Sequence, residues 1–407
     1  MIFQPLGSIA KIVAGQSPES STYNSTGEGL PFFQGKADFQ DMHPKVRMWC
    51  TSDKRKEAEP DDILISVRAP VGAVNICNQK SIIGRGLAAI RASSNLDGKF
   101  LYYWLKANEK KIDALGVGST FKAITQDTLK KIEIPVPPLD NQIRIAHLLG
   151  KVEGLIAQRK QHLQQLDDLL KSVFLEMFGP QSVGYTDWPL IEIKDLAAKH
   201  KGAMRTGPFG SNLLHSEFSA DGDVAVLGID NAVQNRFAWD ERRFITHEKY
   251  KELANYRIFP GDVIVTIMGT IGRSAVVPND ISLAINTKHL AAITLNRELA
   301  NPLFLSYSIH SSPFILNQFK SKNRGAIMSG LNLGLIKETK LKRPPASLQN
   351  DFAKIHQKID EIKFHYRQSL TDLETLYGAL SQQAFKGELD LSRVPMPDVQ
   401  VVRGQSK

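Results

Sequence analysis

Two hydrophobic rhythms alternate along the chain, and the alternation happens twice. The first is short and dense. "DILISV" (62–67) and "DVIVTI" (262–267) pack β-branched residues between turn signals and predict buried strands. "GKFLYYWLKANEKKI" (98–112) and "NPLFLSYSIHSSPFILNQF" (301–319) predict helices near the end of each dense region. Thr125 and Asn332 follow at equivalent places, each suited to cap a short helix. The second rhythm steps by threes and fours over 33 residues, inside a stretch of some forty. It runs through Ile145, Leu149, Val152, Ile156, Arg159, Leu163, Leu166, Leu170, Val173 and Met177, with prolines before it and Gly179-Pro180 after. It returns after Pro344-Pro345 as Phe352, His356, Ile359, Lys363, Tyr366, Leu370, Leu373, Tyr377, Leu380 and Ala384. Each predicts a coiled-coil helix of about 60 Å.

The two halves are copies. "QPLGSIAKI" from Gln4 matches "WPLIEIKDL" from Trp188, and "PDDILISVRAPVG" (60–72) matches "PGDVIVTIMGTIG" (260–272). "LAAI" occurs at Leu87 and again at Leu290. The offset grows from 184 through 200 and 203 to 207, so the second copy carries extra loop residues on an unchanged framework. The expected organisation is a globular domain over 1–138 and a helical spacer over 139–180. A second globular domain over 181–346, a second spacer over 347–388 and a disordered tail over 389–407 complete it. The fold class is α+β: two mixed α/β domains separated by two antiparallel coiled-coil helices with pseudo-twofold symmetry.

Charge narrows the partner. A net charge of +9 and a pI near 9.3 favour a polyanion, nucleic acid ahead of a membrane surface. No apolar run approaches the roughly 18 residues of a membrane span, and the N-terminus does not read as a signal peptide, so the expected location is cytoplasmic. Two cysteines, Cys50 and Cys77, suggest neither disulfides nor zinc, and none of the ten histidines falls in a metal-binding spacing. Two copies of a reader on a stiff spacer suit an extended target, and duplex DNA is the obvious extended polyanion.

Catalytic motifs are missing. "NPLF" (301–304) lacks the second proline of an adenine methyltransferase loop, and "GRGLAA" (84–89) loses both glycines in its copy, "TKHLAA". There is no GxxxxGK[ST] loop, and the acidic start of "PDDILISVR" has no acid-x-Lys after it. The expected catalytic and metal sites are therefore none. Candidate DNA contacts sit in loops: Gln16 and Ser17 in the first copy, and Arg205, Ser211 and Asn212 in the second. "GVGSTFKAIT" and "NRGAIMSGLN" join a glycine loop to a helix start and add Lys122 and Arg324. Arg68, Arg85, Arg273 and Lys288 follow framework strands, while Lys36 and Arg236 lie in turn-like stretches. On the first long helix a second stripe, Leu148, Leu155 and Leu169, lies off the seam and hints at a partner.

The order domain, long helix, domain, long helix resembles the specificity subunit of type I restriction-modification systems. So do the helix start "IPVPPLDNQIRIAHLL" and the strand "GDVIVTIMGTIG". Asn141 and Leu348 stand where the family more often has glutamate before the glutamine. The resemblance implies two target-recognition domains, each reading half of a bipartite double-stranded DNA sequence. It implies helices that set the spacing and dock two methyltransferase subunits, with restriction subunits joining that core. Methyl donor, ATP and Mg would then belong to the partner subunits, and the chain itself would need no cofactor. The alternative is a self-sufficient DNA methyltransferase or nuclease with unrecognised motifs.

Overall fold

The structure, a computed structural model, describes residues 2–118, 122–239, 241–322 and 330–397. The chain divides into two compact units, Met1–Lys160 with Arg367–Lys407, and Gln161–Tyr366. Each unit therefore contains one globular domain and a portion of each long helix, so the helices are shared between the units.

In the first unit a four-stranded antiparallel sheet runs in the order Ala10–Ala14, Leu87–Ala92, Ile63–Ser66, Val74–Ile76. The expected strand at 62–67 is its buried centre, with Ile63, Leu64 and Ile65 all excluded from solvent. A second sheet of five short strands holds a parallel pair, Phe32 against Ile82, flanked by antiparallel edges. The predicted tyrosine-rich helix forms over Gly98–Ala107 and continues, after Asn108, as Glu109–Ala114. Asp97 caps it by accepting the Phe100 amide at 2.7 Å. The second unit repeats this plan with Met204–Thr206, Leu290–Ile293, Val263–Thr266 and Ser274–Val276. Its second sheet again holds one parallel pair, Val226 against Ile285. Thr125 and Asn332 both cap as expected, accepting the amides of Thr128 and Leu335.

A two-stranded ribbon closes each domain, Ile2–Pro5 with Glu133–Val136 and Leu190–Glu192 with Lys340–Lys342. From each ribbon the chain passes through two prolines into a long helix, Leu139–Phe178 or Ala346–Lys386. Gly387, at a φ of 78°, ends the second in the left-handed conformation that glycine adopts without a Cβ clash. Every seam residue expected on either helix is buried or half-buried. Within the first unit the helices run antiparallel. Ala384 shares a core with Ile145 and Leu149, and Arg159 Nε donates to Ser369 Oγ at 3.1 Å. The second unit has the same sense: Asp167 accepts from Lys363 at 2.5 Å, and Phe352 shares a core with Phe174. Lys363 is a buried cation on the seam, held by that carboxylate.

Leu389 and Leu391 pack against the first core, where a disordered tail was expected to begin at 389. The two leucines provide the apolar surface that anchors this stretch. Among the described residues no helix is long and apolar enough to cross a membrane.

Candidate nucleic-acid interface

Three loops converge at one end of the first domain, and close backbone approach fixes them there. A Cβ at Gly15 would lie 2.2 Å from the Gly84 carbonyl oxygen, and one at Gly86 would lie 2.3 Å from that of Gln34. Only glycine fits either contact. The Gln16 amide donates to Ile83 at 3.0 Å, and the Arg85 amide donates to Ser17 Oγ at 3.3 Å. The hairpin carrying Arg68 joins the cluster through Val67, whose amide bonds the Gly86 carbonyl at 2.9 Å. Ala69 in turn bonds the carbonyl of Lys122 at 3.0 Å. Thus Gln16, Ser17, Arg68 and Arg85 form one exposed polar end.

Lys36 and Lys122 reach the same end but are already paired. Lys36 meets Glu109 at 3.4 Å and Lys122 meets Asp113 at 2.6 Å, both acids belonging to the helix Glu109–Ala114. The hydrogen bond from Lys122 holds the Asp113 carboxyl below the usual carboxylate range. Exposed pairs of this kind contribute little stability, so a phosphate could take over either lysine at small cost.

The second domain builds the same end from different side chains. A Cβ at Gly207 would lie 2.0 Å from the Asn286 carbonyl oxygen, which makes Gly207 the counterpart of Gly15. Strand register agrees: Ala14 faces Ala88, and Thr206 faces Ala291. By the same registers Lys288 answers Arg85, Phe209 answers Ser17 and Met268 answers Arg68. Ser211 and Asn212 are exposed on a short turn, Gly210–Asn212. Beside them opens a cavity of about 240 Å³ lined by Pro208, Gly228, Asp230, Arg243, Thr287 and Lys288, among others. Arg243 and Asp230 form a close ion pair there. In its wall Asp230 Oδ2, Arg243 Nε and Thr287 Oγ1, and next to it Asn286 Oδ1, are buried with no protein partner, and among the described residues the equivalent end of the first domain has no such atom. Burial, then the charge of Lys288, lowers the pKa of His289 in this wall.

Arg236 and Arg273 are exposed in adjoining loops, joined where Asn235 Oδ1 accepts the Ser274 amide at 3.4 Å. Arg324 lies outside the described residues.

Arg205 overturns its expectation as a DNA contact. Its side chain is only 7% exposed, because strand alternation turns it inward. Nε donates to the Arg257 carbonyl at 2.8 Å, and Nη1 donates to Gly202 at 3.1 Å and Thr294 Oγ1 at 3.0 Å. Nη2 meets the buried carboxylate of Asp262 at 2.5 Å. The first domain holds the counterpart carboxylate, Asp62, from another strand, with Arg91 donating twice at 2.8 Å.

On the first long helix Leu155 and Leu169 are exposed and Leu148 is half-buried. Pattern reading missed the exposed apolar groups of the second helix, Ile362, Phe364 and Leu376, which fall between the seam steps. It also missed Phe209 and Met268, which only the register between copies brings forward. Among the described residues no cluster of histidine, cysteine and acidic groups could hold a metal.

The family model for the type I restriction modification DNA specificity domain matches residues 3–167 and 185–375. A type I restriction enzyme specificity subunit of Methanocaldococcus jannaschii is 45% identical over 164 residues, 40% of this chain and 38% of that protein. The chain thus aligns with well under half of that relative's length. A specificity subunit of an Escherichia coli type I restriction enzyme is 21% identical over 97% of this chain and 87% of its own length. The crystal structure of a type I restriction-modification S subunit from M. genitalium shares the fold, with a TM-score of 0.58 at 18% identity, over 94% of this chain and 96% of that one. A chain from a study of type I R-M complex assembly aligns with a TM-score of 0.59 at 15% identity, over 95% and 98%.

Proposed function

We propose, from the premise that this chain belongs to the type I restriction modification DNA specificity family, that it is the DNA-reading subunit of a type I restriction-modification complex. Each domain reads one half of a bipartite duplex sequence through its convergent loop end. The observation that carries this reading is the matched pair of loop ends. Both are held by glycine–carbonyl contacts, both present an exposed cation at the same register position, Arg85 and Lys288, and they differ in almost every other side chain. A constant frame with variable loops is what two independent readers require.

In this reading the chain is non-catalytic. Two methyltransferase subunits dock on the outer helix faces, on the exposed Leu155 and Leu169 and the half-buried Leu148 among others, and restriction subunits join that core. The partners hold methyl donor, ATP and Mg. The paired helices, antiparallel with pseudo-twofold symmetry, set the distance between half-sites, and the assembly works in the cytoplasm.

The test is an exchange of residues 1–138 for another domain of the family, followed by mapping of methylated sites in cells that also carry the partner subunits. One half of the recognised sequence should change and the other stay. A change in both halves would contradict independent reading. Methyl transfer or cleavage by the purified chain alone would instead favour a self-sufficient enzyme.

A further inference from the structure

The second reading end carries apolar groups where the first carries polar and cationic ones. Phe209 is 61% exposed and stands where the first domain has Ser17. Met268 is 40% exposed and stands where the first has Arg68. Single exposed hydrophobics are ordinary on a protein surface. These two are placed less casually, since both flank the same loop cluster. Phe209 lies between Pro208 and Gly210, which line the cavity with Lys288, and Met268 follows Ile267, whose amide bonds the His289 carbonyl at 3.0 Å. Lys288 keeps the cation of this end and can hold a phosphate, so the surface still suits DNA.

In the major groove one apolar group distinguishes a standard base, the 5-methyl of thymine. A flexible, polarizable methionine and a planar phenylalanine are suited to cover it. The first end, with Arg68 and Arg85 exposed, has the donors that pair with guanine instead. Resting on the function proposed above, we propose that the second domain recognises thymine in its half-site through the 5-methyl group, with Phe209 and Met268 as the contacting residues.

The experiment uses the full chain assembled with its methyltransferase partners and duplexes containing the mapped recognition sequence. Each thymine of the second half-site is replaced in turn by uracil, which removes the methyl and nothing else. At one position or more the Kd should rise about fourfold, the effect of one apolar carbon leaving contact. Phe209→Ala or Met268→Ala should abolish that uracil penalty, and Phe209→Leu or Met268→Leu should keep it. Thermal midpoints should stay at the parent value, because both side chains face solvent. A second half-site without thymine, unchanged affinity for every uracil duplex, or a penalty that persists in both alanine variants would overturn the assignment while leaving the DNA-reading function intact. No sequence preference in the parent assembly would overturn that function, and this assignment with it.

Discussion

Gln142 Oε1 accepts the backbone amide of Asp97 at 2.8 Å, tying the first long helix to the N-cap of the domain's main helix. Its Nε2 donates to the carbonyls of Asn95 and Pro137 at 3.1 and 2.8 Å. Gln349, 207 residues on, repeats the arrangement with the Asn301 amide at 2.9 Å and the carbonyls of Leu299 and Pro344. Both glutamines are fully buried. Truncation would strand three polar groups at each joint, so Gln142→Ala or Gln349→Ala should cost about 3 kcal/mol. Urea denaturation would show it as an early transition confined to the unit that carries the change. An unmoved midpoint would mean that the joint is held by something else.

Arg205→Ala should act on folding. It leaves Asp262 buried without its cation, a loss of about 3–5 kcal/mol for a pair of this kind. Arg91→Ala should cost less, because the Arg91 side chain is 40% exposed and water can follow it toward Asp62. Thermal unfolding of the two variants orders the effects, and a milder loss for Arg205→Ala would reverse the argument.

Arg85→Ala and Lys288→Ala should do the opposite. Stability stays near the parent value, while the slope of log affinity against log salt falls by about one unit if each contacts a phosphate. Loss of affinity with an unchanged slope at Arg85 would point to a base contact instead.

His310 provides an acid sensitivity with a definite sign. Burial first, then the charges of Arg273 and His356, push its pKa down to about 3, and its Nδ1 lies 2.9 Å from Ser274 Oγ. An unfolded histidine titrates near 6.5, so between about 6.5 and 3 the unfolded chain binds the extra proton. Stability contributed by the neutral ring is present above that range and is lost as pH falls through it. Between pH 7 and pH 5 the parent should lose about 1–2 kcal/mol more than His310→Gln. Parallel urea titrations at the two pH values measure the difference, and equal losses would remove His310 from the account.

The spacer role makes a prediction about length. Seven residues inserted after Gln161, with seven more after Tyr366, keep the heptad phase of both helices and add about 10 Å. The preferred gap between half-sites should then grow by about three base pairs, at about 3.4 Å each. Methylation mapping on a library of gap lengths reads this directly. Indifference to gap length in parent and variant would refute a ruler.

Periodicity made the long helices legible, because a seam of twenty residues repeats one local rule. The central strands were legible for the same reason, and so were the Thr125 and Asn332 caps. Arg205 was not, since its meaning depends on a carboxylate 57 residues away that the first copy pairs from another strand. The loop ends were legible in part. Gln16, Ser17, Arg85 and Lys288 could be picked by type and place, but the lysines held by Glu109 and Asp113 could not be told from free ones. Phe209 and Met268 carry no motif, and emerge only when the two sheets are superposed strand by strand.

The partners of Gln142 and Gln349 are all main-chain groups, which bears on how such genes diversify. A joint that grips only backbone places no demand on the side chains of whatever domain is attached to it. Under the proposed function, genetic crossover near the first proline pair would exchange the first reader for another without spoiling the socket, provided the incoming segment makes the same turn. New recognition sequences could then arise by reassortment of whole readers, in a single step, with no compensating change in the shafts that carry them.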